Sequence, residues 1–451
     1  MTTASRPIPG PGPLTLLRAL PALAKDPFGF CMTAAANGDG LVRLGAGPLG
    51  AYLVSRPTYV RQILVTNAGN YVKGAIMDGI RLALGDGLFT SDGARWRRHR
   101  RLMQPAFHTR RIELMAQTIP GLLQEATDRW APAIATATPV DLLRESVDLN
   151  TRLVLRTLFG VTVGAERTAR LLDLTQAVFH GMTERVWTFF LPRWVPTPGA
   201  AAYQRAITAL DTEIYQLITD RRTAGPTAEE DLLSTLLTAV DEETGTGMDD
   251  RQIRDEIFTL FQAGYESTAS TVTWAIYLLA RHPEAAARTR DELDAVLAGR
   301  TPTHADLAGL RYTRQVIDET LRLYPAFPMF FRSSVQADRL GPHQLPAGAQ
   351  LVISPYATHH DPRYWNDPER FDPARFDPAV LDASTRAAYY PFGAGQRRCI
   401  GEAMSLTTSH LVLAALLSRY RLELTSDQPV SGHYAMTYQP AGGLPVLLRP
   451  R

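Results

Sequence analysis

Cysteine is scarce in this sequence, which contains only Cys31 and Cys399 among 451 residues. Two cysteines so far apart exclude a disulfide framework and suit a reducing compartment, so we expect a cytoplasmic protein. A zinc site or an iron–sulfur cluster is also disfavoured, because both generally need several ligands from the protein. Each cysteine is therefore interpreted from its own surroundings, and those of Cys31 predict only a packing role.

An excess of one charge and a long apolar run are absent as well. The 47 Lys and Arg residues balance 45 Asp and Glu residues, whereas a nucleic-acid binder is normally more basic, so no nucleic-acid partner is expected. Prolines interrupt the apolar residues near the N-terminus and oppose a spanning helix, so no membrane anchor or signal peptide is expected. Residues 1–14 are predicted to form a proline-rich arm.

The chain also lacks internal repeats, low-complexity tracts and Gly/Ser linkers, which predicts a single domain over residues 1–451. Hydrophobic periodicity and capping signals predict a mainly α protein with small β-sheets. The predicted helices cover residues 92–104, 113–131, 142–160, 165–182, 201–223, 229–240, 250–281, 283–298, 303–323 and 400–419, and the predicted β-rich segments cover 41–54, 330–353 and 421–448. The helix 250–281 would be about 48 Å long, which is long enough to cross the whole molecule. We therefore expect the reaction to occur along it.

Cys399 lies in a glycine-rich loop, PFGAGQRRCIG, at residues 391–401, which opens onto an apolar helical segment. A cysteine at a helix N-terminus faces the positive end of the dipole and unpaired N–H groups, which favour a thiolate. Gly393, Gly395 and Gly401 allow positive φ angles and leave room for a large flat group. A single thiolate in such a loop suits heme, which supplies four nitrogen ligands itself, although a buried inert cysteine is the alternative.

This loop resembles the heme signature of the cytochrome P450 family, F-x-x-G-x-R-x-C-x-G, through Phe392, Gly395, Arg397, Cys399 and Gly401. The resemblance implies a mainly helical, triangular single domain. Heme b (iron protoporphyrin IX) would lie between the long central helix and the helix that follows the loop. Cys399 would be the axial iron ligand, Phe392 would pack against the porphyrin and Arg397 would bind a heme propionate.

Other residues match further heme contacts of that family. Trp96 and Arg100 match its W-x-x-x-R element, and the resemblance implies that both donate to heme propionates. Arg332, after the segment AFPMFF, and Lys73 are expected to contribute the same kind of contact. Two carboxylates at a buried porphyrin edge need several cationic donors. A solvated surface charge is the alternative for each arginine.

A structural motif of the family is also present. Glu319 and Arg322 form E-T-L-R, and their i,i+3 spacing places both on one helix face. The resemblance implies a buried triad with an arginine from a downstream F-x-P-x-R-F segment, which here gives Arg375. Arg370, in the nearby PERF run, is the rival third member. The triad is expected to hold the scaffold of the cysteine loop.

The predicted long helix contains AGYEST, which resembles the oxygen-activation motif A-G-x-[D/E]-T-[T/S]. By that resemblance Ala263 and Gly264 let the helix pass over the heme, Glu266 relays protons and Ser267 hydrogen-bonds the activated oxygen. The sequence departs from the family pattern because a serine stands where a threonine is usual. Serine keeps the hydroxyl but loses the methyl group that restricts its rotamer. Thr268 is the alternative position for the catalytic hydroxyl.

These motifs predict a heme-thiolate monooxygenase that uses O2. A peroxygenase, an isomerase or dehydratase that does not use O2, and a heme-based sensor are the alternatives. Electrons are expected from NAD(P)H through a ferredoxin and a ferredoxin reductase, and a monomer is expected. The segment 95–101 has five arginines, which predict a docking face for an acidic carrier beside Arg397 and Arg398. A nucleic-acid patch and a solvated face are its alternatives.

The positions that match substrate-contact segments of the family are mostly apolar, which predicts a hydrophobic ligand without a formal charge. A terpene or polyketide intermediate of secondary metabolism is the first expectation and a fatty acid the second. The segment 179–194, with Trp187, Phe189, Phe190 and Trp194, is expected to form a mobile apolar lid. The expected pocket residues are Phe89, Gly264, Phe327, Met329, Phe330 and Met436.

Overall fold

Helices dominate the computed structural model, which describes residues 6–12, 26–36, 38–45, 50–162, 164–188, 199–225 and 231–451, with the isolated positions 15, 18 and 21. The described α-helices are α1 (Pro27–Ala36), α2 (Pro57–Arg61), α3 (Asp78–Leu84), α4 (Gly93–Met103), α5 (Thr109–Ala135), α6 (Leu142–Leu158), α7 (Ala165–Trp187), α8 (Ala200–Ala224), α9 (Leu232–Thr238), α10 (Asp250–Arg281), α11 (Pro283–Leu297), α12 (Arg311–Leu323), α13 (Pro355–His359), α14 (Ala383–Ala388) and α15 (Glu402–Arg419). The prediction of a mainly α protein with small sheets is confirmed.

The strands form four small sheets among the described residues. The largest has the order β1-β2-β8-β5-β3, in which only β2 and β8 run parallel. A second has the order β4-β12-β9, while β6–β7 and β10–β11 are separate pairs. The strands are β1 (Leu41–Arg43), β2 (Ala51–Val54), β3 (Tyr71–Val72), β4 (Val140–Asp141), β5 (Phe330–Ser334), β6 (Asp338–Leu340), β7 (His343–Leu345), β8 (Gln350–Ile353), β9 (Tyr420–Leu424), β10 (Gly432–Ala435), β11 (Thr437–Pro440) and β12 (Pro445–Pro450).

The central helix α10 has the bounds that its sequence predicts. It begins with a capping box, in which the Asp249 side chain accepts from the Gln252 backbone and the Gln252 side chain accepts from the Asp249 backbone. It packs along α6, α8, α12 and α15. Its first half belongs to one hydrophobic core through Phe258 and Phe261, and its second half to another through Trp274. The described residues 266–271 belong to neither core. The AGYEST segment, at residues 263–268, therefore ends between the two cores.

Some predicted elements differ from the structure. The single helix predicted for 303–323 is wrong, because Thr303 caps a short 3-10 turn at His304–Ala308 and α12 begins only at Arg311. The short helices α1, α2, α3, α13 and α14 were not predicted, since so few turns show no clear periodicity. Positions 189–198, with Phe189, Phe190 and Trp194 of the predicted lid, lie outside the described residues, whereas its first part forms the end of α7.

The proline-rich arm contacts the small sheets where it is described. The Arg6 N–H donates to the Pro342 carbonyl at 3.0 Å, and the Arg43 N–H donates to the Pro9 carbonyl at 2.7 Å. Among the described helices, none combines the length and the apolar character that crossing a bilayer requires.

Candidate functional site

A cavity lies between the middle of α10 and the cysteine loop. All six predicted pocket residues line it, and so do Lys73, Trp96, Arg100 and Arg332. The central helix contributes Ala263, Gly264, Ser267 and Thr268, and the loop contributes Phe392, Arg397, Cys399 and Gly401. Of the residues predicted to act in catalysis or to bind heme, Glu266 and Gly395 do not line the cavity, and neither do Glu319, Arg322 and Arg375 of the predicted structural triad.

Further wall residues were not identified from the sequence. They are mostly apolar, and α6 contributes four of them. Periodicity can find the inward face of such helices, but it cannot tell a cavity wall from ordinary core. These wall residues include Met77, Ile80, Leu88, Asn150, Leu153, Val154, Leu158, Thr259, Leu260, Ala326, Tyr434 and Ser405.

The cysteine loop is folded by its own backbone hydrogen bonds. The Cys399 N–H donates to the Phe392 carbonyl at 3.0 Å. Gly393 and Gly395 have φ angles of +71° and +68°, as the glycine pattern predicts. A Cβ at Gly395 would lie 2.1 Å from the Leu64 carbonyl oxygen, so this glycine permits close packing of the loop and does not contact the cavity.

The expectation for Gly401 needs correction. Gly401 has a φ of −90°, so a positive φ does not explain the glycine there. Desolvation within the site raises the pKa of the Cys399 thiol, although the Gly401 N–H and the charges of Arg100 and Arg398 act in the opposite direction. A coordinated metal ion would outweigh this effect, because a thiol that binds a metal is deprotonated.

Three cations are buried together in one part of the cavity wall. Lys73 and Arg332 are 8% and 7% exposed, and burial together with their mutual repulsion lowers the pKa of Lys73 well below its usual value. Burial also lowers the pKa of Arg332 and of Arg397 to about 10. Among the described residues, the carboxylate paired with this group is that of Asp92, which accepts from Arg397 at 2.7 Å. Buried cations in such excess call for additional anionic partners.

Trp96 and Arg100 extend this wall along α4. The Arg397 guanidinium lies 4.1 Å from the centre of the Trp96 ring. Arg100 Nη1 donates to the Arg398 carbonyl at 3.1 Å, which places Arg100 beside the cysteine loop. Since no Asp or Glu of the described residues lines the cavity, the wall combines cations with a large apolar surface.

These features fit heme b. Cys399 offers one sulfur ligand, Phe392 offers an apolar ring next to it, and the cations offer donors for two propionates. On the opposite side, a Cβ at Gly264 would lie 3.0 Å from a methyl group of Val154, so α10 passes close to α6 there. Among the described residues no cluster of three or more His, Cys, Asp or Glu side chains could hold a metal ion.

The two hydroxyls of the central motif have different partners. Ser267 Oγ donates to the Ala263 carbonyl at 2.8 Å within the helix. Thr268 Oγ1 lies 2.9 Å from the Ser405 hydroxyl on α15, so it links the two helices that enclose the cavity. The Thr268 hydroxyl is thus engaged in a contact between helices, whereas the Ser267 hydroxyl is held only by its own turn.

The Glu266 carboxyl points away from the cavity. Thr437 Oγ1 and Gln439 Nε2, both on β11, donate to its two oxygens. Burial raises the pKa of Glu266 to about 7, and the two hydrogen bonds act in the opposite direction. Neither partner was identified from the sequence, because a strand 171 residues further along the chain has no local signal.

Glu319 and Arg322 form a fully buried ion pair. Arg322 Nε and Nη2 donate to the two Glu319 oxygens at 2.7 and 2.8 Å. Its Nη1 donates to the carbonyls of His359 and Pro368 at 2.8 and 2.7 Å. Arg375 Nε lies 3.5 Å from Glu319 Oε1, so the structure brings these three side chains together.

Arg375 and Arg370 take different positions around this pair. The Arg375 guanidinium also donates to the Asn366 carbonyl and, at 2.8 Å, to the Asp367 carbonyl. Arg370 contributes only its backbone carbonyl, which accepts from Arg322 at 3.2 Å. The side chain next to Glu319 is therefore that of Arg375.

Most arginine side chains of the arginine-rich helix α4 contact other parts of the chain, whereas the sequence predicts a free docking face. Arg95 pairs with Asp86 at 2.5 Å, and Arg101 pairs with Asp241 at 3.0 Å. Arg98 donates to carbonyls of the turn that precedes α10, including that of Thr246 at 3.1 Å. Arg97 is exposed and has no ion pair or hydrogen bond to the part of the chain that the structure describes.

Cys31 occupies an ordinary packing position. Its side chain is 3% exposed within a hydrophobic core. Burial raises the pKa of its thiol to about 12. It does not line the cavity.

Known proteins resemble this chain over most of its length. A family model described as Cytochrome P450 matches residues 8–439. Cyclooctat-9-en-7-ol 5-monooxygenase of Streptomyces melanosporofaciens is 37% identical over 446 residues, which cover 98% of this chain and 95% of that protein. Cyclooctatin synthase of the same organism is 35% identical over 98% of this chain and 95% of its own. Pentalenene oxygenase of Streptomyces avermitilis is 34% identical, covering 93% and 92%.

Proposed function

This chain belongs to the cytochrome P450 family, and from that premise we propose that it oxidises a terpene hydrocarbon or a terpene alcohol. The chain is an oxidoreductase, a heme-thiolate monooxygenase that activates O2 and oxidises a hydrophobic small molecule of secondary metabolism. The prediction of a monooxygenase is thereby confirmed, in preference to the alternatives that do not use O2.

The apolar wall of the cavity is the observation that supports this substrate class. Phe89, Phe327 and Met436 line it, and no described carboxylate does. The cations of the wall are the expected partners of the heme propionates, so they offer nothing to a charged substrate. Two relatives are named for the oxidation of cyclooctat-9-en-7-ol and of pentalenene, which favours a compact hydrocarbon skeleton over an extended acyl chain.

The side chains around the cavity have separate tasks in this proposal. When bound, the heme would supply the oxidising chemistry with O2, and Cys399 would hold its iron. Lys73, Arg332 and Arg397 would hold its carboxylates. Ser267 Oγ holds a proton at the cavity surface, and Glu266 supplies protons from the opposite side of the helix.

Substrate titrations test the proposed class. Ferric holoenzyme is titrated with terpene hydrocarbons, terpene alcohols and fatty acids of equal carbon number, and the spectral change on loss of bound water gives each Kd. We expect a terpene to bind at least about tenfold more tightly than the matched fatty acid, which corresponds to about 1.4 kcal/mol. Tighter binding of the fatty acid would favour the second predicted substrate class.

Ser267→Ala tests the assignment of the distal hydroxyl. The variant should bind substrate and accept electrons normally, yet release severalfold more hydrogen peroxide per nicotinamide oxidised, because a proton held at the cavity surface is lost. Ser267→Thr should keep or improve coupling, since its methyl group restricts the rotamer. Product and peroxide are quantified together. Full coupling in Ser267→Ala, with uncoupling in Thr268→Ala, would move the catalytic hydroxyl to Thr268.

Electrons reach the chain from redox partners, as is general in this family. NAD(P)H, a ferredoxin reductase and an acidic ferredoxin are the proposed source. Arg97 is the arginine of α4 best placed to meet that carrier, because Arg95, Arg98 and Arg101 are engaged within the chain.

Arg97→Glu tests this docking face. We expect reduction by an acidic ferredoxin to slow about tenfold at low ionic strength, with a smaller difference at high salt, because exposed charges are screened. Substrate-binding spectra should not change. Arg386→Glu, an equal charge reversal on α14, is the control and should reduce at the normal rate. Equal slowing in both variants would place the docking face elsewhere.

A further inference from the structure

The acid of the central helix is bound by the C-terminal hairpin, β10–β11. Thr437 Oγ1 donates to Glu266 Oε2, and Gln439 Nε2 donates to Oε1 at 3.3 Å. Glu266 is 4% exposed and is not part of the cavity wall. A proton donor held in this way must change its orientation, or act through intervening groups, before its proton reaches the cavity.

Contacts that do not involve Glu266 fix β11 on α10. Ser270 Oγ and Trp274 Nε1 both donate to the Tyr438 carbonyl, at 2.6 and 3.1 Å. The Tyr438 N–H donates to the Ala326 carbonyl at 2.9 Å. The position of Thr437 relative to the helix is therefore set independently of the hydrogen bond that it gives to the acid.

The tip of the same hairpin reaches the cavity. Ala435 pairs with Thr437, which leaves Met436 at the tip, and its side chain lines the cavity. Met436 has a φ of +70°, a strained conformation that residues other than glycine seldom adopt. A substrate that fills the cavity contacts a residue whose backbone is strained and whose neighbour binds the acid.

We infer that Thr437 is a positioning residue that holds the Glu266 carboxyl on the hairpin side of α10, and that contact of substrate with Met436 releases the carboxyl toward the cavity. The inference rests on the proposed role of Glu266 as the proton donor. The step moves one proton from a Glu266 oxygen to a water molecule, or to Ser267 Oγ as that hydroxyl passes its own proton into the cavity, and solvent returns a proton to Glu266. No bond between heavy atoms is made or broken.

No neighbouring charged group competes with the hairpin for the Glu266 carboxyl, as far as the described residues show. Tyr265, its neighbour on α10, stays protonated because burial and the Glu266 charge raise the pKa of its phenol. Tyr438 is the titratable residue of β11, and it stacks on Trp274 with ring centres 6.0 Å apart. No described cation contributes to the pKa of Glu266, which burial raises to about 7. The carboxyl is thus expected to titrate near neutral pH.

Infrared spectroscopy of ferric holoenzyme can follow this carboxyl directly. The C=O band of protonated Glu266 is the band that Glu266→Gln lacks, and it disappears as the pH rises. In Thr437→Val the midpoint of that titration should rise by about one pH unit, because loss of a hydroxyl donor disfavours the ionised form. Thr437→Ser should restore the midpoint. Saturating substrate should shift the band in the natural protein and leave it unmoved in Thr437→Val.

Two further variants keep the test decisive. Gln439→Leu removes the longer hydrogen bond and should shift the midpoint in the same direction by less, whether or not Thr437→Val folds. Ser270→Ala removes a contact between hairpin and helix without touching Glu266, and its band should match that of the natural protein. An unchanged midpoint in both Thr437→Val and Gln439→Leu, or an equal shift in Ser270→Ala, would overturn the inference.

Peroxide yield separates this inference from the proposed function. If Glu266→Gln does not raise the peroxide released per nicotinamide, the role of Glu266 as proton donor fails, whatever the infrared band does. If Glu266→Gln raises it and Thr437→Val does not, only the positioning role of Thr437 fails. The double variant should release as much peroxide as Glu266→Gln alone, because both changes interrupt one path.

Discussion

Cys399→Ala is expected to abolish both oxygenase activity and the absorption band of the reduced carbon-monoxide complex that indicates cysteinate ligation. Cys399 is the cysteine that lines the cavity, next to the apolar ring of Phe392. The axial ligand sets the electronic properties of the iron, so its loss removes the band even where heme is still bound. The difference spectrum of the reduced carbon-monoxide complex and the heme content measure the two effects separately.

Cys31→Ala is the matched control. The Cys31 side chain packs in a hydrophobic core away from the cavity. Its replacement removes one sulfur atom and should cost about 1 kcal/mol of stability, while band and activity remain. A variant at Cys31 that lost the band, with the band retained in Cys399→Ala, would reverse the assignment of the ligand.

Arg322→Ala should fail to accumulate as stable holoprotein. Arg322 and Glu319 are both 0% exposed, and the substitution leaves the Glu319 carboxylate buried with the Asp372 N–H and, as its charged partner, only the more distant Arg375. Removal of one member of a buried pair costs ~3–5 kcal/mol, which is a large part of the stability of a typical domain. The carbonyls of His359 and Pro368 also lose their donor. Yield, heme content and urea unfolding measure the effect.

Arg311→Ala controls for the loss of an arginine from the same helix. Arg311 is exposed at the start of α12 and has no ion pair with the part of the chain that the structure describes. An exposed substitution of this kind changes stability by less than ~0.5 kcal/mol. Similar stability of Arg311→Ala and Arg322→Ala would show that the buried pair is not needed for the fold.

Features encoded locally could be predicted from the sequence. The bounds of α10 follow from its caps and periodicity, and the socket around Cys399 follows from closely spaced glycines. The face shared by Glu319 and Arg322 follows from helical spacing alone. Each of these predictions needs only residues that are close together in the chain.

Partners that are distant in the chain could not be predicted. Arg397 meets Asp92 across 305 positions, and Thr268 meets Ser405 across 137. No local pattern indicates these contacts, because they depend on how helices and loops pack around the cavity. The orientation of Glu266 toward the hairpin is a consequence of the same packing.

The arginine-rich composition of residues 95–101 also overstates how many of these charges are available to bind a partner protein. Five arginines within residues 95–101 predicted a docking face, yet Asp86 and Asp241 bind two of them. These acids lie on either side of α4 in the sequence and belong to other loops. The local pattern was recognised, and the tertiary environment determined the result.

Isotope labelling tests the monooxygenase assignment most directly. Holoenzyme, redox partners, NAD(P)H and the best-binding terpene are incubated under 18O2, and the product is analysed by mass spectrometry. We expect one labelled oxygen atom to enter the product, and none to enter when only the water is labelled. A product without oxygen derived from O2, formed without consumption of NAD(P)H, would contradict it.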